Sequence, residues 1–260
     1  MYKFALTIFF ASTVFLLESC WSRRYSDDYF LNNIVNIERH NESYENAVQL
    51  MKNNDFNGSY KIFSEILRDF SFSNLARKSL LMAAFSQYSA GKYKESATLG
   101  EQYLAQYPGS QNIDYVYYLV GMSYANMIRD VHYDQQPARL MLQYMSQIVR
   151  QYKDSVYFKG ARFYVTVARN QLAAKEMDIG RYYLDNGEYT SSILRFQLVV
   201  EQYSDTEQLE EAMVRLVESY FALGLMDEAR DMAFLIQEQY PQGYWSQYVR
   251  KLVQSNNKKS

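Results

Sequence analysis

The chain repeats itself, and the repeat limits what it can fold into. Asn54-Asp55-Phe56, followed by Phe63 and Leu67, returns as Gly91-Lys92-Tyr93 with Tyr103, Leu104 and Pro108. It returns again as Gly187-Glu188-Tyr189 with Phe196 and Val200, then as Gly224-Leu225-Met226 with Ala229, Ala233 and Pro241. Gly91 follows Asn54 by 37 residues, and Gly224 follows Gly187 by 37. The 96 residues from Gly91 to Gly187 leave room for one longer unit, with Gly121 and Tyr124 in a first helix and Met141, Met145, Val149 and Tyr152 in a second. A period in the thirties means stacked supersecondary units, each burying an apolar face against the next.

Helix–turn–helix units with this small and aromatic spacing resemble tetratricopeptide repeats, so the expected fold is all-α, a superhelical solenoid of about five such repeats. Phe158, Ala161, Tyr164 or Val165, Ala168, Leu172, Ile179 and Tyr183 recur at three- and four-residue steps and predict one long amphipathic helix. A glycine near each turn permits positive φ, and the aromatic after it packs the turn down. Ser59, Ser96, Ser192 and Ala229 fall where helices cross closely. Only 3 prolines and 10 glycines also favour helices over an all-β chain with many tight turns. The expected repeats are roughly 40–73, 77–111, 114–156, 157–206 and 210–244, with repeats 1–3 over 41–156, repeats 4–5 over 157–253, and a polar tail at 254–260.

Cys20, the sole cysteine, closes a short apolar run in Leu16-Leu17-Glu18-Ser19-Cys20. Lys3 supplies a positive start, and Phe4 to Leu17 is 14 residues without a charge. That pattern describes a secretory signal rather than a membrane span, which needs about 20 apolar residues. A cysteine directly after the cut is the bacterial lipoprotein arrangement, with the thiol alkylated by a diacylglyceryl group and the freed amine acylated. Each buried methylene then contributes about 0.8 kcal/mol of membrane affinity. The expected parts are a signal peptide at 1–19 and a lipidated tether at 20–40. An ordinary signal peptide with a coincidental cysteine is the alternative, and Glu18 departs from the small or apolar residues usual there.

Removing 1–19 takes away Lys3 and Glu18 and leaves the net charge at −2, which does not suit nucleic acid. Chemistry is equally thin. His40 and His132 are the only histidines, neither placed beside a nucleophile or second metal ligand, and solvent or hydrogen-bonding roles are expected for both. No phosphate-binding glycine loop, nucleophile elbow or H-E-x-x-H occurs. No enzyme, metal or cofactor is expected; a groove is. With first helices lining it, the inward residues of repeats one and two are Tyr44, Val48, Met51, Lys52, Leu81, Phe85 and Tyr88. Aromatic and Met side chains are enriched at binding surfaces. The same side chains could instead pack between helices.

Tyr107-Pro108-Gly109-Ser110-Gln111-Asn112-Ile113-Asp114-Tyr115-Val116-Tyr117-Tyr118, followed by Gly121, resembles the BamD family of outer-membrane assembly lipoproteins. The resemblance continues through Asp134-Gln135-Gln136-Pro137-Ala138-Arg139, Val149-Arg150-Gln151-Tyr152 and Ala173-Ala174-Lys175-Glu176. Gly180-Arg181-Tyr182-Tyr183, then Leu194-Arg195 through Tyr203-Ser204-Asp205-Thr206, complete it. Lys153 and Ser204 stand where the family tends to have the proline of a Tyr-Pro pair, so two turns are expected to loosen.

The resemblance implies a non-enzymatic component of the machine that folds β-barrel proteins into the outer membrane, lipid-anchored on its periplasmic face. It implies that C-terminal repeats dock on the periplasmic domains of a BamA-like barrel protein, with Arg195 at or near that contact. It implies that N-terminal repeats receive unfolded barrel proteins, and that other assembly lipoproteins are possible partners. For Arg195 the alternative is a surface ion pair contributing little. For the whole chain it is a tetratricopeptide-repeat envelope lipoprotein scaffolding cell-wall or trafficking factors, or an accessory domain to an enzyme. Residues 107–121 and 173–206 argue against the former, and the lack of a catalytic domain against the latter.

Overall fold

The computed structural model describes residues 42–69 and 73–257. Among them the chain forms eleven α-helices and no strand. These are α1 (Glu42–Lys52), α2 (Phe56–Asp69), α3 (Asn74–Ser89), α4 (Tyr93–Gln106), α5 (Ile113–Ala125) and α6 (Gln136–Gln151), then α7 (Phe158–Asp185), α8 (Tyr189–Gln202), α9 (Leu209–Leu223), α10 (Met226–Gln239) and α11 (Tyr244–Asn257). Five antiparallel pairs and a closing helix fit the expected repeat fold. The expected signal peptide, the expected tether with Cys20, and His40 lie outside the described residues.

Turn chemistry separates the two helices of a pair. Gly91, Gly187 and Gly224 adopt φ of 76°, 76° and 77°, and Asn54 takes the same left-handed place at φ 63° in the first pair. Asparagine tolerates this region better than other L residues. Between pairs the chain turns at Tyr107, Tyr152, Tyr203 and Tyr240, whose carbonyls accept the amide of the third residue on, at 3.0–3.1 Å in all four. Proline stands second in two of these turns only. The same closing hydrogen bond forms at Lys153 and Ser204, where the proline is missing.

The helices divide into two compact units. The first comprises the described residues up to Met127 with Leu140–Val165. Here α2, α3 and α4 each pack on the next helix in the chain. Phe63, Leu80, Met82, Tyr103 and Tyr115 are fully enclosed. Small residues permit the close crossings, and where they are serines they also bond. The Ser59 and Ser86 hydroxyls meet at 2.9 Å, and those of Ser96 and Ser123 at 3.1 Å. Ser86 and Ser123 also donate to the carbonyls of Met82 and Leu119.

The second unit comprises Ile128–Arg139 and the chain from Thr166. Met177, Phe196, Val199, Leu216, Val217, Ile236 and Val249 form its core. The Ser192 and Ser219 hydroxyls repeat the buried pair at 2.9 Å. The division falls inside α7, after Val165. An amide clip fastens the loop between α5 and α6 to the second half of the 28-residue α7. Gln171 Nε2 donates to Gln135 Oε1 and Arg129 O, while buried Gln135 donates to Asp130 O and Tyr133 O. His132 lies in this loop, its Nδ1 3.3 Å from Asp178 Oδ2.

Of the expected polar tail at 254–260, residues up to Asn257 are described. The last helix runs to Asn257, because Trp245, Tyr248, Leu252 and Val253 recur at helical spacing and pack against the second core.

Candidate partner-docking site

The site is built on α7 and α8. Helix α8 turns Ser192, Ile193, Phe196 and Val199 into the core, so Leu194, Arg195 and Leu198 point elsewhere. A methyl group at Gly180 of α7 would stand 2.5 Å from Phe196 Cε1. Only glycine allows that approach, and Glu176, one turn earlier on the same face, is brought within reach of α8. Its Oε2 accepts a hydrogen bond from Arg195 Nη1 at 2.9 Å, with the side chains 20% and 40% exposed.

Beside this pair lies a surface cleft lined by Tyr183, Ser191, Leu194, Arg195 and Leu198. Leu194 and the neighbouring Tyr182 are 64% and 65% exposed. Exposed apolar side chains and a part-exposed arginine thus share the surface of this unit. Sequence reasoning singled out Arg195 but missed Glu176, Leu194 and Leu198. The available signal was the i, i+4 leucine pair lying out of phase with the core-facing Ile193, Phe196 and Val199.

The expected groove of the first unit is filled rather than open. Tyr44, Val48, Met51, Leu81, Phe85 and Tyr88 are 2–8% exposed. Tyr44 packs edge-on against Phe63 of α2, and Met51 Sδ faces the Ser86 hydroxyl of α3. These six are packing residues. Lys52 alone among the seven candidates is exposed. A surface cleft among the described residues lies on second helices, lined by Tyr60 of α2 and Lys94, Glu95, Thr98 and Leu99 of α4.

Two further polar assemblies are structural. Glu101 of α4 accepts hydrogen bonds from Tyr124 of α5 at 2.6 Å and Tyr144 of α6 at 2.9 Å, and the two rings stack. Burial first, then the bonded carboxylate, pushes both phenols well above their ordinary value of 10.0. In the second unit Arg215 bonds Glu211 and Glu218 and lies over the Trp245 ring, and Tyr248 donates to Glu218. The bond to that carboxylate, then burial, raises the Tyr248 phenol to about 12. Among the described residues no group of three or more His, Cys, Asp or Glu side chains is placed to hold a metal ion. No described helix is long and apolar enough to cross a membrane.

Consecutive helix pairs joined by recurring glycine turns define a helical-repeat protein. A model of the YfiO family, described as outer membrane lipoprotein, matches residues 37–235. The outer membrane protein assembly factor BamD of Caulobacter vibrioides is 30% identical, over 82% of this chain and 70% of its own length. The protein of the same name from Rickettsia prowazekii is 29% identical, over 82% of this chain and 84% of its own. That from Buchnera aphidicola is 24% identical, over 89% and 93%. The chain belongs to the YfiO/BamD family, as the motifs at 107–121 and 173–206 led us to expect.

Proposed function

We propose that the chain is a non-enzymatic component of the machinery that assembles β-barrel proteins in the outer membrane, held on the periplasmic face by lipid at Cys20. The observation that carries this reading is the likeness to named assembly factors across four-fifths of the chain. The second unit docks on the periplasmic domains of a BamA-like barrel protein through Arg195 and the leucine cleft. The first unit receives unfolded barrel proteins on surface that includes the exposed Lys52 and, separately, the cleft around Tyr60 and Leu99, which offers apolar contact. Other assembly lipoproteins complete the set of partners, and with a net charge of −2 nucleic acid is not among them.

The test is a pulldown of the lipidated protein from native membranes. Recovery of a large barrel protein with repeated periplasmic domains is the expected result, and cell-wall or trafficking factors in its place would overturn the reading. Mass spectrometry of the mature N-terminus checks the anchor: acyl mass on Cys20 is expected, and loss of it in Cys20→Ser. A free amine on a later residue would remove the anchor from the proposal.

A further inference from the structure

We infer that Glu176 is a positioning residue for docking, holding the Arg195 guanidinium over the cleft so that the surface is formed before the partner arrives. The inference rests on the docking role proposed above for Arg195. Arginine carries five N–H donors on a rigid fork. Of these, one on Nη1 goes to Glu176 Oε2 at 2.9 Å, and no other described group engages the guanidinium. One corner of the fork is thus pinned, and the other donors remain open beside Tyr183, Ser191, Leu194 and Leu198.

The restraint is itself well held. Glu176 is 20% exposed at its side chain, on a helix whose approach to α8 is set by Gly180 against Phe196. An unrestrained arginine at a half-exposed site samples many rotamers, and a partner would have to collect it into one. With Glu176 in place that entropy is lost on folding instead of on binding. The pair also lowers the local positive field. The partner group that fits is therefore a carboxylate or carbonyl flanked by an apolar side chain, not a dense acidic patch.

The experiment is a double-mutant cycle on the full lipidated protein in detergent, titrated against the purified BamA-like barrel protein, with melting temperatures recorded for each variant. Arg195→Ala is expected to weaken binding roughly thirtyfold, as a hot-spot arginine does. Glu176→Ala should weaken it roughly fivefold, the usual size of an ordering term for one long side chain. The double variant should bind no more weakly than Arg195→Ala alone, since Glu176 acts through the arginine. Glu176→Gln keeps an acceptor for Nη1 and should bind nearly as wild type. Additive losses in the double variant, wild-type affinity in Glu176→Ala, or a Gln variant as weak as Ala would each overturn the positioning role while leaving Arg195 docking intact. An Arg195→Ala variant that binds as wild type would overturn the docking role itself, and this inference with it.

Discussion

At the residue scale, the turns were the most legible part of the chain. Gly91, Gly187 and Gly224 recur before an aromatic or methionine two residues on, and all three take positive φ. A methyl group would meet nothing within 4 Å at Gly91, so the cost of Gly91→Ala is backbone strain alone. We expect a loss of roughly 1 kcal/mol in urea unfolding, and little change for Asn54→Gly, which relaxes the same strain at the first turn. The groove residues were not legible, for a physical reason. An apolar stripe at three- and four-residue spacing marks the face that leaves water, not what covers it, and Tyr44, Leu81 and Phe85 leave water against neighbouring helices. Phe85→Ala should therefore cost about 3–5 kcal/mol of stability, read as a large drop in melting temperature. A Phe85→Ala protein of unchanged stability would return this residue to the surface.

At the element scale, the repeat reuses one device and varies it where packing changes. Buried serine pairs set 27 residues apart join Ser59 to Ser86, Ser96 to Ser123 and Ser192 to Ser219. The small side chains were visible in the sequence, but the bonds were not, because each partner sits in the next repeat. The turns between pairs vary in a paired way. Ser155 donates to Asp114 Oδ2 at 2.6 Å, whereas at the corresponding place Gly243 lies against the longer Glu210, whose Oε1 is buried without a partner. A third contact fixes the turn after α8. Arg169 is forked onto Asp205 and donates to the carbonyl of Gln202. The bond to Arg169 holds the Asp205 carboxyl below its ordinary value of 3.8. A carboxyl lowered on folding adds stability above its unfolded value, and that stability is lost as pH falls through the lowered one. Asp205→Asn should thus flatten the pH dependence of stability below about pH 4, while leaving its slope near neutrality unchanged. The effect is modest, since Asp205 is largely exposed and solvent screens the pair.

At the scale of the whole molecule, the five-pair architecture was readable because the period survives in the sequence, and the division into units was not. The period broadens between Gly91 and Gly187, and the extra residues go into α7 and the loop that Gln135 and Gln171 fasten to it. Nothing in a repeat pattern says that this loop belongs with the helices that follow. The division bears on function, because the proposed partner contact and the proposed substrate surface then belong to different units with no shared side chain. Effects of mutations at such sites combine almost additively. Arg195→Glu places a second carboxylate beside Glu176 at the cleft, removing the guanidinium and opposing any acidic partner group. It should reduce affinity for the barrel-forming partner by roughly a hundredfold or more, beyond a simple truncation. Affinity for an aromatic-ended peptide from a barrel protein should stay within about twofold. In the first unit, Leu99→Glu in the open cleft should do the reverse, since Leu99 lines that cleft beside Tyr60 and belongs to the first unit. Both variants measured against both ligands give four affinities, with circular dichroism confirming the fold. If Arg195→Glu weakens peptide and partner alike in a folded protein, the two units do not divide the work and the surfaces are one.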